Sequence, residues 1–151
     1  MDLVKTADVV VENFRTGTLE KLNIGYDVLQ SVNPRIILGS VTGYGASGPN
    51  AKKAGYDAIV GADAGILHVT GERNGKPVRP GLGITDMSTG LFLHGAIMAA
   101  LYARERTGRG QKVDTSLFET GTSLLINVGM AWLNLGQEAE RWGKHSMISS
   151  S

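Results

Sequence analysis

The stretch "ADVVVENFRTGTLEKLNIGYDVLQSVNPRIILGSVTGYG", Ala7 to Gly45, decides the fold. It opens and closes on short, nearly continuous apolar runs, "ADVVVEN" and "RIILGSVTGYG". Runs of this kind read as strands buried on both faces of a parallel sheet. Between them, Leu19, Leu22 and Ile24, then Val28 and Leu29, suit one or two short amphipathic helices. Gly25 breaks the helical pattern and Pro34 ends it. Strand, helix and strand in this order make a βαβ unit, because two parallel strands need a crossover of a dozen or more residues. The expected class is therefore α/β, with a right-handed crossover.

Reading outward, Ala46 to Thr85 is rich in Gly, Pro and polar residues. It reads as an ordered loop with a short helix near Asp57–Ala64, and loops this long are usually functional. Met87 to Arg104 is apolar almost all round, which predicts a buried helix, and Gly108 is placed to stop it. "QKVDTSLFE" alternates and predicts a strand. Thr120 to Gly136 predicts a second apolar helix. "MDLVKTADVVVENF" opens like the tail of a helix running into a strand, and "KHSMISSS" stops without a closing element, so the chain reads as a fragment.

Composition narrows the function classes. The chain has 151 residues, 42% hydrophobic and 19% charged, enough for one globular domain with a sizeable core. A net charge of +1 gives no strong pull toward nucleic acid or anionic membrane, and neither partner is expected. The absence of cysteine excludes a disulfide framework, a thiol nucleophile and a Cys-based metal site. No run reaches 18 consecutive apolar residues, so no membrane-spanning helix is expected.

The candidate chemistry lies in the loop and at its end. "GYGASG", Gly43 to Gly48, is a literal G-x-G-x-x-G after a strand. The dinucleotide-binding version needs a helix to open there, whereas Pro49, Asn50 and two lysines follow. A glycine loop presenting backbone N–H groups to some ligand and a plain turn both remain open. His68, His94 and His145 lack metal-ligand spacing, and Ser40, Ser88 and Ser116 lack a nucleophile-elbow context. Asp86 heads the long apolar segment, with no further acid until Glu105. It suits an N-cap worth about 1 kcal/mol. On the residues alone the cap reading leads, but Asp86 also suits a nucleophile for an activated acyl group, with the positive helix end keeping it ionised.

Taken together, "ADVVVENFRTG", "VNPRII", "SVTGYGASGP", "AGYDAIV", "TDMSTG" and "RERTGRGQKVDTSLFE" resemble the class III CoA-transferases of the CaiB/BaiF type. That family includes formyl-CoA transferase and the α-methylacyl-CoA racemases. The resemblance runs from Asp2 to about Lys144, and "LGQEAERWG" and "GKPVRPG" are most similar to the subgroup that moves CoA between succinyl-CoA and glutarate or hydroxymethylglutarate.

The resemblance implies that residues 1–151 are part of a doubly wound, parallel-sheet large domain, without its N-terminal βαβ unit and the C-terminal small domain. It implies a homodimer of interlocked chains at full length, located in mitochondria in a eukaryote and otherwise in the cytoplasm. It places the nucleophile on Asp86 and the CoA contacts on Asn13, Phe14, Arg15, Lys21, Ala54, Gly55, Tyr56 and Asp57. Ala54 stands where relatives carry a basic side chain, leaving a backbone contact. Arg79 is a candidate partner for the far carboxylate of a dicarboxylic acid, or a solvated loop charge. The substrates are an acyl-CoA thioester and a carboxylic acid, with no metal and no permanently bound cofactor. In the racemases a histidine base stands where this chain has Tyr56, and a phenol, with an ordinary pKa of about 10, is a poor base at pH 7.

Overall fold

The computed structural model describes residues 1–143, so the "KHSMISSS" end, with His145, lies outside the described residues. A short 3-10 turn at Asp2–Lys5 leads into β1 (Val9–Glu12). Helices α1 (Thr18–Lys21) and α2 (Tyr26–Val32) follow, then β2 (Ile37–Thr42). Helices α3 (Asp57–Asp63) and α4 (Ile66–Val69) precede the long α5 (Ile84–Thr107). The described chain closes with β3 (Lys112–Ser116), α6 (Leu117–Leu124) and α7 (Ile126–Leu135). The three strands form one parallel sheet in the order β1-β2-β3, with Val9 opposite Ile37 and Ser40 opposite Asp114. The α/β class and the βαβ unit are thus as the sequence predicts.

β2 is central, which explains its continuous apolar run. Ile36, Ile37 and Leu38 are almost wholly buried. Its alternation assigns the two faces. Leu38 packs with Leu19, Leu29 and Ile36 beneath α1 and α2. Gly39 faces α5, where a Cβ would lie 3.0 Å from Ile97 Cδ1 and 3.2 Å from Leu93 Cδ1. A glycine there lets the helix lie close on the sheet. At the other end of α5, the buried Arg104 donates to Asp8 Oδ1 at 2.8 Å and to the Arg35 carbonyl at 3.2 Å. That side chain ties the helix to the starts of β1 and β2.

Four expectations need correction. The long helix starts at Ile84, not Met87, and reaches Thr107. It is not buried all round: Thr85, Thr89, Leu93, Ala100 and Arg104 are buried along one face, while Met87, Leu91, Phe92, Met98 and Tyr102 are more than half exposed. One helix on one sheet can cover only a single stripe of itself. The "QKVDTSLFE" strand ends at Ser116, whose hydroxyl accepts from Glu119 N at 3.2 Å and donates to Glu119 Oε2 at 2.6 Å. Ser116 thus caps α6 at the S-x-x-E spacing of a capping box, a local signal present in the sequence, with the Glu119 carboxylate on the Ser116 hydroxyl. The predicted Thr120–Gly136 helix is two helices, parted at Leu125.

Helix α5 is also long and apolar enough to cross a membrane by length and composition alone, although its apolar residues are not consecutive. Its contacts with Gly39 and its buried Thr85, Thr89 and Arg104 mark it as the helix laid along the sheet of this domain.

Candidate active site

In a parallel sheet all strands end on the same side, and the segments leaving them can converge there. Here they enclose a cleft of about 240 Å³. One wall is Asn13, Phe14 and Arg15, just past β1. The opposite wall is Lys53, Ala54, Gly55 and Tyr56, ahead of α3, and Asp86 from the first turn of α5 also lines it. Residues that the sequence scatters over more than seventy positions thus meet in one place. The crossing of Gly43 and Gly55 makes this possible. A Cβ on either would run into the other's backbone, so only glycine at both lets the segment after β2 touch the segment before α3.

The glycine loop does not open a helix; Ala46 to Lys53 is turns and bends. It is held by side chains instead. Tyr44 donates its hydroxyl to Asp63 Oδ2 at 2.6 Å, packs against Phe118 with ring centroids 5.9 Å apart, and carries Lys53 Nζ 5.8 Å from its ring centroid. The hydrogen bond to Asp63, helped by burial and by the carboxylate charge, pushes the Tyr44 phenol from 10.0 up to about 12. A raised phenol pKa favours the folded loop while the proton is present. The contribution is complete below pH 10 and is lost as pH rises from 10.0 to about 12. Ultraviolet titration of the four tyrosines should therefore show a late-ionising phenol that disappears in Tyr44→Phe. A Tyr44→Phe curve identical to the parent's would show that the loop is held otherwise.

The head of α5 differs from the sequence reading. Its N-cap is Gly83, which has no side chain to give, and Asp86 sits inside the first turn. The capping oxygen comes from α3. Asp57 Oδ1 accepts Thr85 N at 2.9 Å, Asp86 N at 3.3 Å and the Thr85 hydroxyl at 2.5 Å. Burial alone would push the Asp57 carboxyl up. The Thr85 hydroxyl, the two backbone N–H groups and the Arg79 charge outweigh it, so Asp57 lies below the usual carboxylate range. For Asp86 the direction reverses: burial first, then the Asp57 charge, raise its carboxyl. The expectation that the helix end favours an ionised Asp86 is therefore corrected, because the amides serve Asp57.

Asp86 also borders a second, more apolar groove of about 450 Å³ along β1 and α5, with Val11, Leu93, His94 and Ile97 on its walls. It stands between a cationic cleft and an apolar one. Among the described residues, no group of three or more His, Asp or Glu side chains could hold a metal ion.

A family model described as CoA-transferase family III matches residues 1–150. The chain belongs to that family. An acyl-CoA transferase of Fusarium pseudograminearum is 66% identical over 150 residues, covering 99% of this chain and 33% of that protein. A succinyl-CoA:glutarate CoA-transferase of Mus musculus is 45% identical over 142 residues, covering 94% of this chain and 33% of that protein. The crystal structure of a CaiB/BaiF family protein from Brucella suis superposes with a TM-score of 0.89 at 42% identity, covering 92% of this chain and 37% of that one. The chain spans about a third of the length of the curated relatives it matches.

Within this family III chain, seven of the nine expected site residues line the cleft: Asn13, Phe14, Arg15, Ala54, Gly55, Tyr56 and Asp86. Asp57 lies behind Asp86 as its backbone partner. Lys21 is exposed at the end of α1 and does not line the cleft. Arg79 is exposed too, and its charge acts on Asp57. Sequence reasoning missed Lys53, one of the two lysines after the glycine loop, and Thr85, whose full burial at a helix head was the available hint only in three dimensions.

Proposed function

We propose that the protein carrying this chain transfers CoA from an acyl-CoA, such as succinyl-CoA, to a carboxylic acid, such as glutarate or hydroxymethylglutarate. The observation that carries this reading is the meeting of Asp86 with Asn13–Arg15 and Ala54–Tyr56 around one cleft. The succinyl and dicarboxylate assignment draws support from the name of the mouse relative. Residues 1–151 form part of the large domain. The family resemblance further supports a homodimer, mitochondrial in a eukaryotic host.

The steps follow from carboxylate chemistry. Asp86 attacks the thioester carbonyl, the C–S bond breaks, and a mixed anhydride and CoA thiolate result. The thiolate attacks the aspartyl carbonyl, releases the first acid as its carboxylate, and leaves an aspartyl-CoA thioester. The acceptor carboxylate attacks that thioester and expels the thiolate. The thiolate then takes the acceptor's acyl carbon, which frees Asp86. Asn13, Phe14, Arg15 and the Ala54–Tyr56 segment, which line the cleft, contact CoA, and Arg15 and Lys53 suit its phosphates.

The test is trapping. Incubation with succinyl-CoA, then hydroxylamine, should convert Asp86 to a hydroxamate, located by peptide mass spectrometry. Label absent from Asp86 despite continuing transfer would refute the reading. In deuterated water a 2-methylacyl-CoA should gain no α-deuterium, since Tyr56 stands in the second-base position.

A further inference from the structure

We propose that Asp57 is a positioning residue, which clamps the first turn of α5 and sets the orientation and reactivity of Asp86. The proposal rests on the reading of Asp86 as nucleophile, but its central observation is the geometry of the clamp.

The first N–H groups of a helix have no partner within the helix. In α5 the N-cap is a glycine, so no local side chain serves them. A carboxylate from 28 residues earlier does so instead, through one oxygen that takes Thr85 N, the Thr85 hydroxyl and Asp86 N. Thr85 is fully buried, so the clamp is anchored in the packed interior between α3 and α5. Two consequences follow. The backbone of Asp86 is fixed directly by the Asp86 N contact, which limits how its side chain can enter the cleft. The helix end, which would otherwise stabilise the nearest anion, is occupied by Asp57. Asp86 is left beside a like charge, and like charges close together separate the two titrations. A carboxylate made less comfortable as an anion is a better nucleophile toward an acyl carbon.

Other charged or titratable groups also face Asp86. Arg15, Lys53 and Tyr56 share its cleft, and Glu12 and His94 share the apolar groove. Arg79 acts on Asp57 from the loop. Among the described residues none of these side chains hydrogen-bonds the Asp86 backbone, whereas Asp57 does, so the clamp can be separated from them by changing Asp57 alone.

A cap with only a structural role would be satisfied by any oxygen acceptor. Asp57→Asn keeps the acceptor and removes the charge, whereas Asp57→Glu keeps the charge. The readout is the pH profile of carbodiimide-promoted amine coupling at Asp86, followed by peptide mass spectrometry on the folded protein. This chemistry needs the protonated carboxyl and does not need turnover. In Asp57→Asn the midpoint for Asp86 should move to lower pH, and acyl-enzyme trapping should slow on the order of 10-fold. In Asp57→Glu the midpoint should stay near the parent's. An unchanged Asp86 profile in folded Asp57→Asn would overturn the proposal, and so would a profile in Asp57→Glu that falls like that of Asn. Failure of the nucleophile reading would show separately, as transfer that survives Asp86→Asn.

Discussion

Asp86→Asn is expected to lower CoA transfer by on the order of 10⁴-fold or more, because removing the nucleophile of a covalent route closes that route. A carboxamide is nearly isosteric with the carboxylate, but it has no anionic oxygen to attack a thioester. The backbone N–H of residue 86 still reaches Asp57 Oδ1, since that contact does not involve the changed side chain. CoA binding should therefore remain within a few-fold of the parent. Stability supplies the control. The folded state raises the Asp86 carboxyl through burial and the Asp57 charge. A raised acid prefers its protonated form in the folded state, so ionising it as pH rises through and above the ordinary carboxyl value of 3.8 works against folding. Removing the charge should leave the melting temperature at neutral pH equal or higher. Steady-state transfer, CoA titration and a thermal melt on the same preparations check all three expectations. Transfer within ten-fold of the parent would remove Asp86 from the chemistry.

The parts of the fold that rest on local pattern were legible. β1 and β2 both showed as apolar runs; the central β2 has both faces covered and so no polar face to alternate with, whereas β1, expected to be buried on both faces, is only half-buried with Val11 exposed. Helix α3 was placed within a residue of its observed end, and Gly108 does stop α5 in the left-handed conformation, at φ 71°. The β3–α6 boundary was also legible in principle: alternation continues through "TSLFE", but Ser116 and Glu119 stand at capping-box spacing, and the cap won. What could not be read is what depends on distance. A window around Asp86 shows a good capping residue three positions past Gly83, and it cannot show that the cap arrives from Asp57. Nor can it show that Gly43 and Gly55 must both lack a side chain, since each glycine alone reads as a turn. Apolar composition likewise overstated the burial of α5, because sequence tells which surfaces avoid water but not which of them this chain can cover.

That uncovered surface leads to the second large effect: the 151-residue chain on its own is expected to self-associate, melt poorly and show no transfer. Its accessible surface is 9985 Å², against ~7,400 Å² for a compact monomer of 16.0 kDa. The excess is about 2,600 Å², the size of a substantial protein interface. Much of it is apolar: Leu91 is 74% exposed on α5, and Leu133 and Leu135 are 70% and 69% exposed on α7. The sheet adds unpaired backbone, because among the described residues β1 and β3 each pair only with β2, and Val11 on the outer strand is 60% exposed. Open parallel edges recruit further strands. At roughly 25 cal/mol per Å², even a few hundred Å² of wet apolar surface amounts to several kcal/mol. A domain's whole stability is about 5–15 kcal/mol, so this loss is comparable to it. The cleft would suffer as well, since the head of α5 that carries Asp86 is only as fixed as the helix behind it. Light scattering coupled to size exclusion, a calorimetric melt and a succinyl-CoA assay on the purified chain decide the matter. A monomer that melts sharply and turns over succinyl-CoA would show that these faces tolerate water and that the cleft is complete without further cover.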